Sequence, residues 1–183
     1  MERRMETKST PEAYYDELGR AAGPDLVAFA HWAVDNAAAH GLSVAWGDSG
    51  PLLKYVHEKR PYLPFTFGQL DKSGVLAQRQ TALLRRCEEL HVPTEVIREY
   101  LKAVADLIPG ACVKTFPLSG GGTKELIVAG EDAGPVDWPP LGPLALRKEE
   151  WFAALDRVVA RIRAVIEDPL SGKGPNGRSL RRV

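Results

Sequence analysis

The spacing of apolar residues changes period in blocks along this chain, and the order of those blocks restricts the folds open to it. Leu26, Phe29, Ala30, Ala33, Val34 and Ala37 recur at helical spacing. Larger apolar residues then alternate over 42–46, and again at Leu63, Phe65 and Phe67, as in strands with one buried face. Helical spacing resumes with Leu83, Leu84, Cys87 and Leu90, and once more with Ile97, Leu101, Val104 and Ile108. Two strand-like runs, Cys112 to Phe116 and Glu125 to Val128, precede a last helix over Lys148 to Asp168. Helices and strands that come in runs, rather than in βαβ alternation, predict the α+β class. We expect a single domain with a mainly antiparallel curved sheet, made of a four-strand meander plus a later hairpin, and helices packed on one face.

Turn and cap residues divide these blocks. Thr10 is placed as N-cap before Pro11, opening a short helix to about Leu18 that Gly19 and Gly23-Pro24 close. Gly41 suits a left-handed C-cap after the second helix. Gly47-Asp48-Ser49-Gly50-Pro51 supplies the turn into a second strand, Leu52 to Glu58, and Pro64 directs the third strand to an edge or a bulge. Asp71 to Gly74 turns into a fourth strand, Val75 to Gln78. Thr94 is the expected N-cap of the Ile97 helix, Pro109-Gly110 stops it, and Gly130 to Pro143 reads as irregular. In the last helix Trp151, Leu155, Val158, Ile162 and Val165 form a stripe flanked by Phe152, Val159 and Ile166, wider than the roughly 100° of an ordinary surface helix. Two surfaces should therefore cover it: the sheet, and either the Leu26–Ala37 helix or the same helix of a second copy. The intrachain partner, and hence a monomer, is the expected arrangement, with Arg157 and Arg161 in solvent.

A chain of 183 residues that is 44% apolar buries a core without disulfides or metal. The domain is expected over 10–168, after a disordered 1–9 and before a flexible basic tail, 169–183, that carries Lys173, Arg178, Arg181 and Arg182. Without that tail the chain holds 20 Lys and Arg against 24 Asp and Glu, too acidic to bind duplex DNA by general phosphate neutralisation. No apolar run approaches the roughly 18 residues of a membrane span, and the N-terminus lacks a signal-peptide core, so a cytoplasmic location without membrane contact is expected. Cys87 and Cys112 read as small buried hydrophobes. His31, His40, His57 and His91 show no metal-ligand spacing, so neither metal nor cofactor is expected.

Several motifs invite chemistry and fail on spacing. Gly47 to Pro51 resembles the nucleophile segment of chymotrypsin-like proteases and Ala38 to Gly41 their histidine segment, but only eight residues separate His40 from Ser49. Ser119 to Lys124 is Gly-rich but runs from strand to strand, not from strand into the helix that a phosphate loop needs. The acid-x-Lys of restriction-type nucleases occurs only as Glu6-Thr7-Lys8, before any strand. Asp48, His57 and Glu58 are the remaining acid, base or metal candidates, and neighbours His57 and Glu58 would point to opposite faces of a strand. Aromatic residues interleaved with basic ones suit stacking on a planar or polar partner, which makes Trp46, Lys54, Tyr55, Arg60 and Arg79 the binding candidates.

The order Trp32-Ala33, Trp46-Gly47, Pro64 to Gly68, Gly74-Val75, Leu83 to Leu90 and Phe152-Ala153-Ala154-Leu155 resembles an uncharacterised bacterial α+β module. Copies of that module occur alone or beside nuclease and restriction-associated regions, so the resemblance implies a link to nucleic acid or defence and assigns no catalytic residue. The expected function is a non-catalytic binding module for nucleic acid or protein. The alternative is a hydrolase-type enzyme working near Asp48, His57 and Glu58.

Overall fold

The computed structural model describes residues 10–78, 80–118 and 120–168. The expected N-terminal extension, the basic tail and Arg79 lie outside the described residues. Among the described residues six helices accompany a four-stranded antiparallel sheet and a separate two-stranded hairpin, so the α+β class holds. The expectation of one sheet is corrected: the late hairpin does not join the meander through a strand ladder.

Thr10 accepts the Ala13 N–H through Oγ1, and α1 (Pro11–Ala22) follows. It outruns the expected end at Leu18 because Gly19 is tolerated inside it. Gly23, at φ 89°, makes the break, and α2 (Pro24–Asn36) begins at once. A 3₁₀ turn, Ala37–His40, ends on Gly41 in the left-handed conformation expected of it.

Strands β1 (Ser43–Gly47) and β2 (Gly50–Tyr55) form a hairpin closed by Asp48 and Ser49. β2 ends three residues short of the expected Glu58, because the chain turns at 57–60, where the Arg60 N–H donates to the His57 carbonyl. β3 (Phe65–Leu70) is a central strand, flanked by β2 and β4 (Leu76–Ala77), and Leu63 and Pro64 precede it rather than belong to it. The bulge nevertheless exists: Leu53 pairs with Gly68 and Lys54 with Thr66, so the ladder steps over Phe67. Phe67 packs edge-on against Tyr100 of a later helix, 5.3 Å between ring centres.

Next come α3 (Gln80–Leu90) and α4 (Thr94–Ala105), where Thr94 is the first helical residue rather than the cap. Strands β5 (Cys112–Pro117) and β6 (Thr123–Val128) pair in register from Cys112–Val128 to Pro117–Thr123. The Gln78 side chain ties this hairpin to the end of β4. Its amide donates to the Ile127 carbonyl at 2.6 Å and its oxygen accepts the Ile127 N–H at 2.9 Å. Part of the stretch expected to be irregular forms α5 (Gly142–Leu146), and α6 (Lys148–Glu167) closes the described chain.

One contiguous apolar core joins residues from α1 through α6, with Trp151, Tyr14, Phe65 and Phe152 among its largest fully buried members. The wide stripe of α6 is covered within the chain, as expected, but α4 takes the role given to the sheet, and the 37–40 turn and α5 add to the contact with α2. Trp151 donates to the Tyr100 hydroxyl at 3.4 Å on the α4 side, while Phe29 and Trp32 of α2 meet Trp151 and Phe152 on the other. Arg157 and Arg161 are exposed.

Candidate functional site

The chain leaving β2 and the C-terminal half of α6 enclose a cleft of about 340 Å³ lined by Gly41, Tyr55, Val56, His57, Glu58, Arg163 and Glu167. Tyr55 is the last residue of β2 and is buried, and its ring sits 5.9 Å from the Arg163 guanidinium carbon. The hydrogen-bonded Tyr55 hydroxyl holds Arg163 above the ordinary guanidinium value, with smaller contributions from Glu167 and Glu58. Gly41 borders the same guanidinium: a Cβ there would lie 3.6 Å from Nη2.

His57 is the most unusual residue in the cleft because its polar ring is 3% exposed. Its Nδ1 accepts the Lys59 N–H at 3.1 Å, so the ring proton sits on Nε2, which faces Glu167 Oε1 at 3.6 Å. Nδ1 is thus held within the protein, while Nε2 stands beyond hydrogen-bond reach of a half-exposed carboxylate. A second histidine lies just beyond the cleft, where His40 Nδ1 is 2.9 Å from both oxygens of Asp156. Asp156, Arg163 and Glu167 are spaced by seven and four residues, so they share one face of α6 and meet the 40–58 segment along a polar seam.

Of the eight residues singled out from sequence, the seven that are described therefore separate. Tyr55, His57 and Glu58 come together in the cleft. Lys54, one residue before Tyr55, projects to the other face of β2, and Arg60 is exposed beyond the cleft. Trp46 is half-buried in a different cluster, edge-on to Tyr14 and Tyr15, with Tyr15 stacked on His31. Asp48 sits in the hairpin turn, at the other end of β2 from His57, which a strand of this length places about 17 to 20 Å away. Asp48 thus shares no reacting atom with His57 and Glu58. Arg163, Glu167 and Gly41 were not foreseen, although the seven-and-four spacing of charges on the polar side of α6 was readable.

Among the described residues no three His, Cys, Asp or Glu side chains gather as a metal-binding set, and no helix is long and apolar enough to cross a membrane. Among the described residues five arginines and one lysine pair with acids: Arg85 and Arg86 with Glu89, Arg98 with Glu125, Arg147 with Glu150, Arg161 with Glu99, and Lys72 with Glu17. Comparison with protein-family models, curated proteins and solved structures finds no match for this chain.

Proposed function

We propose that this protein is a non-catalytic interaction module whose polar cleft beside Tyr55 receives a cationic group of a protein partner. The observation that carries this reading is the charge in the cleft: Glu58 and Glu167 stand against a single guanidinium, Arg163, which already holds the Tyr55 hydroxyl. An excess carboxylate in a half-enclosed space favours an ammonium or guanidinium group and opposes phosphate. The acid–base alternative draws no support from Asp48, which lies at the far end of the hairpin from His57 and Glu58.

The test is a titration at low ionic strength with arginine amide, with inorganic phosphate and with an oligonucleotide, followed by NMR at the His57 and Tyr55 rings. Arginine amide should shift both rings, and Glu58→Gln with Glu167→Gln should abolish the response. Shifts with phosphate or oligonucleotide alone would overturn the reading.

A further inference from the structure

The β5–β6 hairpin has one closed edge and one open edge, and a hydrogen bond from outside the hairpin tells which groups are free. The N–H and C=O of Ile127 both bind the Gln78 side chain, so they point away from β5. Ile127 pairs with Val113, which makes this a non-hydrogen-bonded pair of the antiparallel ladder. The N–H and C=O of Val113 must then point away from β6 as well. Alternation extends this to Thr115 and to the carbonyl of Pro117. Among the described residues these outward groups have no backbone partner. Thr115 and Pro117 are exposed, and Pro117 has no N–H to offer, so the open edge is short and ends there.

We propose that this edge of β5 is a docking edge for an extended acidic segment of a partner protein, which adds as a third strand beside β5 and β6. Backbone bonds to Val113 and Thr115 supply the pairing, as in other strand-addition complexes. The chemistry of the segment follows from the face that carries Lys114, Phe116 and Lys124. Lys114 Nζ donates to the Glu131 carbonyl at 2.6 Å and the Ala133 carbonyl at 3.1 Å, and Lys124 stands opposite Phe116 in the ladder. Neither lysine is paired with a carboxylate among the described residues, whereas the arginines around the hairpin are. An acidic residue opposite Lys114 therefore completes a cross-strand pair. Pairing with a second copy centred on Lys114 sets like charges face to face, a device that protects edges from self-association. The inference is independent of the cleft beside Tyr55.

The experiment measures amide hydrogen exchange at Val113 and Thr115 in the full chain, with a capped peptide of alternating glutamate and threonine and with its lysine counterpart. The acidic peptide should slow exchange at both amides and the lysine peptide should not. Thr115→Pro removes one outward donor and leaves the β5–β6 ladder intact, so binding should weaken about tenfold. Lys114→Glu should reverse the preference between the two peptides, and an unchanged far-UV circular dichroism spectrum shows that losing the bonds to the Glu131 and Ala133 carbonyls leaves the hairpin folded. The proposal fails if the acidic peptide leaves both amides unprotected or if the lysine peptide binds equally well. It also fails if the free protein already protects these amides and sediments as a dimer.

Discussion

Gly50 begins β2 at φ 141°, and a Cβ there would overlap the Leu70 carbonyl oxygen and the Tyr14 ring. Its carbonyl also accepts the buried Gln69 amide at 3.0 Å, which fixes the backbone on both sides. Gly50→Ala combines backbone strain with a steric clash that has no flexible end to yield, and should cost about 3 kcal/mol in urea unfolding. Buried ionisable groups set the alkaline limit of stability. Burial, with Glu88 adding, pushes the Cys87 thiol up from 9.0 to about 12. Burial likewise raises the phenols of Tyr14 and Tyr100 above their ordinary value. These groups release protons at lower pH when unfolded than when folded, so above the unfolded values the unfolded chain binds fewer protons and stability falls as pH rises. Unfolding free energy measured across pH should therefore decline from about pH 9 upward as these groups titrate. In the native protein at pH 8, Cys87 should resist a thiol reagent that labels the half-exposed Cys112.

Gln78 acts as one residue of a strand that is not there, bridging the end of β4 to β6. Gln78→Leu leaves both backbone groups of the buried Ile127 without partners and should cost about 2 to 3 kcal/mol. Exchange of the Ile127 amide should rise more than that of the β1–β2 amides, since the bridge serves the hairpin and not the meander. At α6 the fully buried Leu155 sits on the stripe that packs against α4. Leu155→Ala should cost about 2 to 5 kcal/mol through the cavity it leaves, by the same amount at every protein concentration. A mutant whose defect is a shift in oligomeric state would show that another copy covers the stripe.

Across the whole molecule, what was legible in the sequence follows from short-range physics. Periodicity located α2, α3, α4, α6 and most strands but not α5, and the Thr10 cap and the Gly41 left-handed turn were set by local backbone chemistry. The α+β class followed from the order of the blocks, and the partners of α6 were half legible, since a wide stripe demands two neighbours without naming them. Local signals erred where tertiary contacts outweighed them: Gly19 continues α1, β2 yields to the turn at 57–60, and Pro64 lies outside a strand that proved central. The cleft was least legible. Tyr55, His57 and Glu58 stood out as residue types, but Arg163 and Glu167 lie more than a hundred positions away and carry no motif. Composition and period decide which residues must leave water and which segments are helix or strand, because those depend on each residue and its near neighbours. The meeting of α6 with the end of β2, the division of the strands into two sheets and the open edge of β5 depend on how the elements pack. Packing is settled by complementary shapes distant in sequence, which only the folded chain brings together.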